Sequence, residues 1–377
     1  MRRASERERE RLHEIFAALC AIDSPTGHER ACADRIAAEL RSLGLEVDED
    51  DAGPSAGSDA GNLFARLAGT GSGSVMLCAH MDTVPATAPI EPVRVDGGWR
   101  NANEAILGAD NKAAVAALLV LAARLEASPA AISVELLFTV SEENGLHGAK
   151  AFDVKRLDSR FGFVFDHATP IGEIVVGSPA YLRIDAVFRG RAAHAGVRPE
   201  NGRSAIQAAS RAIATMELGR LDSETTANVG VIAGGTATNV VPERCRIEAE
   251  VRGMDASRAE QVVTELVDHL QDAANAGECD LDVTVAPMFH GYRVEQRAPE
   301  LLVAERALRA CGYEPRPIAS GGGSDANALR LNGFACLNLA DGSERNHEPG
   351  ERISVDALES LLELTIAVVE ESGSNEL

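Results

Sequence analysis

Apolar residues recur along this chain in two rhythms. Near the start they return at helical spacing, with Leu12, Ile15, Phe16 and Leu19 on one face and Ile36, Leu40 and Leu43 on another. Ser24-Pro25-Thr26-Gly27 separates these two predicted helices as a turn. From Val75 the rhythm changes to short continuous apolar runs, Val75–Ala79, Val134–Val140 and Phe161–Phe165, divided by helical stretches such as Ala113–Leu125. Such runs predict strands buried on both faces of a mostly parallel sheet, since a strand wetted on one side alternates apolar with polar residues. The small, polar segments predict a loop with little to bury over Asp50–Gly61 and a hairpin connection over Gly69–Ser74.

Between Ser178 and Phe289 the texture differs. Strand-like Tyr181–Phe188 is followed by a helix over Ser204–Met216, strands around Val229 and over Arg246–Val251, a helix over Ala256–Ala274 and the strand Leu281–Val285. That order predicts a separate α+β domain built on an antiparallel sheet. After Gly291 the first texture resumes, with helices over Pro299–Cys311 and Asp325–Leu331, the strand Ala335–Leu339 and a last helix over Ser354–Glu370. The expected fold is α/β, with a mostly parallel central sheet flanked by helices. Residues 1–177 and 290–377 form that discontinuous domain, and residues 178–289 are an inserted smaller α+β domain. A length of 377 residues, more than one hydrophobic core usually spans, agrees with two domains.

Composition narrows the partners. A formal net charge of −22 repels phosphates and argues against nucleic acid. The dense basic run from Arg2 to Arg11 alternates with Glu6, Glu8 and Glu10 and reads as a solvated helix face. The longest apolar run, Ala113–Ala123, is half of the roughly 20 residues a membrane span requires, so no membrane association is expected. No apolar segment follows the N-terminal positive charges, which argues against a secretory signal and for a cytoplasmic address. Seven scattered cysteines without a Cys-x-x-Cys pair argue for reduced thiols, not a disulfide framework or a thiolate zinc site.

Polar residues gather where the apolar runs end. Val75–Ala79 leads into His80-Met81-Asp82, Val134–Val140 into Ser141-Glu142-Glu143, Phe161–Phe165 into Asp166-His167, and Ala335–Leu339 into a loop carrying His347. In an open parallel sheet the carboxyl ends of the strands share one edge, where ligand sites form. Asp110 precedes the helix at Ala113; by itself it reads equally as an N-cap. Acidic groups crowded at one desolvated edge repel one another unless positive charge holds them together, and divalent metal is the simplest source. Two imidazoles with three carboxylates suit zinc, with manganese or cobalt as alternatives.

These segments resemble the M20 metallopeptidases, especially the peptidase T branch. The matching stretches are His80-Met81-Asp82-Thr83-Val84, Gly108-Ala109-Asp110-Asn111-Lys112-Ala113-Ala114, Ser141 through Ala149, Phe165-Asp166 and Asn346-His347-Glu348, in family order over most of the chain. The resemblance implies a zinc-peptidase-like catalytic domain that holds two divalent ions. His80 and Asp166 would bind one, Glu143 and His347 the other, and Asp110 would bridge. It further implies Glu142 as the catalytic base that activates the water, Asp82 as the group orienting His80, and a cis peptide after Asp110. The inserted domain resembles the family's dimerisation lid, and implies a homodimer. There His194 matches a histidine that reaches a neighbouring subunit's site to stabilise the oxyanion, while Asn239 and Arg252 match residues that hold substrate. Gly322 and Asp325, in Gly321-Gly322-Gly323-Ser324-Asp325, match a turn lining the substrate cleft, though the same sequence reads as a tight turn into a helix. The implied activity is hydrolysis of small peptides, foremost removal of the N-terminal residue of tripeptides. Dipeptidase, carboxypeptidase or N-acyl-amino-acid deacylase activity, or metal binding without catalysis, stand as alternatives.

Overall fold

The computed structural model describes residues 3–374, so Arg2 of the basic run and the last three residues of the expected first domain lie outside it. The chain divides into two compact units. One comprises Met1–Val176, Arg293–Ser320 and Ser324–Leu377; the other comprises Gly177–Tyr292 and Gly321–Gly323.

The first unit is built on a nine-stranded sheet. Its four central strands lie in the order Ser133–Thr139, Ser74–His80, Phe161–His167 and Ala335–Ala340, all parallel. Antiparallel strands flank them, Leu63–Leu67 at one side and Glu173–Ser178 at the other. The helix Ala109–Ala127 is apolar on every face because it is covered on every face, by helices Glu6–Cys20 and Val355–Ser372 and by the strand Ser74–His80. Among the described residues no helix is long and apolar enough to cross a membrane.

Two local expectations are corrected. Gly69–Ser74 is not a hairpin connection: Leu63–Leu67 and Ser74–His80 both pair with Ser133–Thr139, one antiparallel and one parallel, so a third strand lies between them. Small polar residues mark a reversal but not the partner of the strand that follows. Asp50–Gly61 is also more than a loop. A one-turn helix, Gly53–Ala56, buries Ala52, Ala56 and Ala60, and Asp50 accepts from the backbone N–H of Ala52 and Asn62 at 3.0 and 2.8 Å.

A second, four-stranded sheet escaped the apolar pattern because its strands are short. It runs in the order Ser343–Glu344, Arg352–Ser354, Gly98–Asn101 and Pro92–Val95. The hairpin between its first two strands carries His347.

The other unit has a five-stranded antiparallel sheet in the order Gly219–Arg220, Thr225–Gly234, Arg244–Gly253, Ala180–Arg189 and Asp280–Phe289. Alternate residues Cys245, Ile247, Ala249 and Val251 point to a core shared with helices Ala205–Thr215 and Ala256–Ala276. That alternation is the period of a sheet covered on one face only.

Candidate metal centre

The four parallel strands end at one edge, and three of the endings are shaped to aim a side chain. His80 closes its strand, and its Nδ1 lies 3.0 Å from the Asp82 carbonyl oxygen and 3.4 Å from the Asp82 carboxylate. Asp166 sits at a register shift: Leu339 pairs with Phe165 but Ala340 with His167, leaving Asp166 as the extra residue. Such a bulge re-aims a side chain. The Asn338 side chain secures it, accepting from the Asp166 N–H at 3.0 Å and donating to the Asp166 carbonyl at 2.9 Å.

Glu142 and Glu143 follow Ser141, whose φ of +50° is rare for a residue with a side chain. The turn is held from two directions. Buried Glu29 accepts from the Ser141 N–H at 3.1 Å. The Asp82 carboxylate accepts from the N–H groups of Glu142 and Glu143 at 3.0 and 3.2 Å, and from the Thr26 hydroxyl at 2.7 Å. Asp82 therefore orients the two glutamates as much as His80. The Asp110–Asn111 peptide bond is cis.

The five expected ligands come together. His80 Nε2 stands 3.2 Å from Asp110 Oδ1 and 3.5 Å from Asp166 Oδ1. His347 Nε2 stands 3.5 Å from Asp110 Oδ2 and 2.9 Å from Glu143 Oε2. Among the described residues three sets of side chains bring donor atoms close enough for one ion: His80 with Asp110 and Asp166, Asp110 with Glu143 and His347, and His80 with Glu142 and Glu143. The first two share Asp110 through different oxygens; the third would make Glu142 a ligand.

Charge supports a cationic occupant. Burial and the neighbouring Asp166 push the Glu142 carboxyl well above its usual range, and burial does the same to Asp166. Burial would lower His80, yet Asp166 and hydrogen bonds to three carboxylates raise it well above an ordinary imidazole. Hydrogen bonds to Asp110 and Glu143 push His347 up to about 10. Without metal, protons supply the positive charge this cluster demands, and divalent ions fit the same donor set.

Comparison with known proteins places this arrangement in a family. A model of the peptidase dimerisation domain of M20 enzymes matches residues 177–278, and a model of peptidase family M28 matches residues 62–214. The M28 match takes in His80, Glu143 and Asp166 but stops short of His347, so relatives spanning the whole chain decide between the two. Aminopeptidase PepT of Bacillus cereus is 38% identical, with a TM-score of 0.86 over 97% of this chain and 99% of that one. A tripeptidase of Staphylococcus aureus is 33% identical, with a TM-score of 0.91 over 97% and 98%. The uncharacterized protein YqjE of Bacillus subtilis is 36% identical over 96% of this chain and 98% of its own. The chain belongs to the M20 metallopeptidases, close to peptidase T.

In this M20 enzyme the remaining expected residues fall into two groups. Asp325 is fully buried in the first unit, where it accepts from the Thr139 hydroxyl and lies 3.9 Å from Cys78 Sγ. A carboxylate so enclosed does not touch substrate; the expectation that it does is corrected to a place beneath the strand that ends in His80. The other four lie in the second unit. His194 and Asn239 are exposed neighbours, with the Ala195 N–H donating to the Asn239 carbonyl at 2.9 Å. Arg252 forks onto Glu250 at 3.1 and 3.2 Å, donates to the Gly321 carbonyl at 3.1 Å and lies 4.4 Å over the Tyr181 ring. Any carboxylate it grips competes with Glu250. Gly322 accepts from the Ser178 hydroxyl at 2.9 Å. Beside it, a side chain on Gly323 would lie 2.5 Å from the Phe289 ring, which accounts for that glycine alone; a side chain on Gly321 would meet nothing within 4 Å.

Sequence reading missed Glu29, Asn338, Asn346 and Glu351. Asn346 donates to Asp110 Oδ2 at 3.0 Å, and Glu351 accepts three backbone N–H groups of the Asp110 loop. Asn346 stands inside the matching stretch Asn346-His347-Glu348 without a role of its own, Glu351 had only its proximity to His347 as a signal, and Glu29 and Asn338 had none.

Proposed function

We propose that this M20 metallopeptidase is an aminopeptidase that removes the N-terminal residue of tripeptides with the help of two divalent cations, zinc by donor type. The observation that carries the reading is Asp110, whose two oxygens face two different imidazoles, at 3.2 Å for His80 and 3.5 Å for His347. His80, Asp110 and Asp166 would hold one ion, and Asp110, Glu143 and His347 the other. When bound, the pair supplies the charge that acidifies a water molecule and polarises the scissile carbonyl.

The side chains do the rest. Glu142, 8% exposed, takes the proton from the water and hands it to the departing amine. Asp82 holds Glu142 and Glu143 in register by their N–H groups and fixes the ring of His80. In the second unit Asn239, Arg252 and Gly322 hold the peptide. His194 stabilises the oxyanion in a partner subunit, and so requires a homodimer formed through the dimerisation domain. Five buried cysteines out of seven, all unpaired, support a reducing, cytoplasmic setting.

The test is hydrolysis of a tripeptide panel by protein loaded with zinc, cobalt or manganese, with each peptide also N-acetylated or C-amidated. Cleavage should require a free amine and vanish on chelation. Cleavage of acetylated peptides would reject the aminopeptidase assignment, and rapid turnover by metal-free protein would reject the mechanism.

A further inference from the structure

His347 lies in the loop 345–351, between strands whose register is set by Ser343 opposite Ile353 and Glu344 opposite Arg352. Three of its residues, Arg345, His347 and Gly350, have positive φ, at 59°, 64° and 97°. A free loop of this form would not hold a ligand steady, and the side chain of His347 is 46% exposed. Its base, however, is pinned. Glu351 is 1% exposed, and its Oε2 accepts from the N–H groups of Leu107 and Gly108, both at 2.8 Å, while Oε1 accepts from the Asp110 N–H at 2.9 Å. The next residues, Arg352–Ser354, are fixed against Gly98–Asn101 with Ile353 opposite Trp99. From the other end of the loop, Asn346 donates to Asp110 Oδ2 at 3.0 Å.

We infer that Glu351 is a positioning residue that locks the segment bearing Asp110 to the hairpin bearing His347, so that both ions depend on it though it touches neither. A carboxylate taking three N–H groups has given most of its roughly four acceptor directions to backbone, so it holds the loop and leaves coordination to Asp110. Because Asp110 is shared, loosening its backbone disturbs both sites, whereas losing His347 disturbs one. The inference rests on the two-ion reading of the centre.

Cobalt titration of metal-free protein, followed by visible absorption and calorimetry, separates the cases. Wild type should bind two ions and H347A one at full strength. Glu351→Gln, which offers one acceptor oxygen where two are needed, should bind both ions about 10–100-fold more weakly, the usual cost of losing an outer support. Glu351→Asp, which restores the charge, should recover part of the loss. Wild-type affinity at both sites in folded Glu351→Gln would overturn the inference, while wild type taking up fewer than two ions would overturn the reading beneath it. Amide exchange in metal-free wild type guards against a variant that does not fold. The N–H groups of Leu107, Gly108 and Asp110 should be protected before metal is added, and fast exchange there would also overturn the inference.

Discussion

Replacing Glu142 by Gln keeps the shape of the side chain and its backbone N–H on Asp82 at 3.0 Å, but removes its charge and its capacity to accept a proton. Three consequences follow from the site. Loss of a positioned base costs about 10²–10⁴ in kcat, equivalent to roughly 2.7–5.5 kcal/mol of barrier. Metal content stays at two ions if the sets sharing Asp110 are the binding sets, whereas the set of His80, Glu142 and Glu143 requires one ion to be lost. The third consequence has the opposite sign. In metal-free protein burial and Asp166 raise the Glu142 pKa above its ordinary value of 4.5. A carboxyl with a higher pKa folded than unfolded takes up protons on folding, so stability falls as pH climbs from the ordinary value through the folded one. Above that window the penalty is complete, and below it the charge is absent from both states. Chelated Glu142→Gln should therefore melt higher than chelated wild type at neutral pH, the gap closing below the ordinary carboxylate pKa. Steady-state rates on a tripeptide, metal analysis and melting of the chelated proteins across pH measure all three. Full activity would refute the base role, loss of one ion would make Glu142 a ligand, and an unaltered melting difference across pH would refute the electrostatic argument.

Asp82→Asn keeps one acceptor oxygen for three donors and places an amide against an N–H; it should lower melting by an amount equivalent to about 2–4 kcal/mol and reduce kcat without removing metal, read by calorimetry and kinetics. Metal uptake near neutral pH should release protons, since hydrogen bonds to Asp110 and Glu143 hold His347 up at about 10; affinity should weaken as pH falls, and binding heats should vary with the buffer's ionisation enthalpy. Gly148→Ala puts a methyl 2.3 Å from the Val140 carbonyl and 2.5 Å from Asn62 Oδ1, behind the Ser141–Glu143 turn, and should cost about 1–3 kcal/mol in denaturant unfolding. Leu118→Ala, in the helix buried on all sides, should cost about 2–5 kcal/mol in the same measurement while leaving metal stoichiometry at its wild-type value.

Three of the candidate ligands, His80, Glu143 and Asp166, stand out in the sequence because an apolar run gives way there abruptly to polar residues, whereas Asp110, ahead of a helix, and His347, in a loop, are singled out mainly by the family resemblance. Burial on both faces of a parallel sheet imposes those runs, and the chain leaves the sheet where the site begins. Their supports had no such mark. Glu29 meets Ser141 across 112 positions and Glu351 meets Asp110 across 241, each through backbone N–H groups that every residue carries. Asp325 shows the reverse error: beside a glycine run it reads as a cleft residue, and only the fold encloses it behind Thr139.

Sequence alone determined the α/β class, the order of the elements and the donor types, because these depend on local period and side-chain chemistry. Tertiary structure decided which strand lies between Leu63–Leu67 and Ser74–His80, the bulge that turns Asp166, and the hairpin that carries His347. Those depend on pairings between distant backbone groups, whose hydrogen bonds are the same whatever side chains they bear.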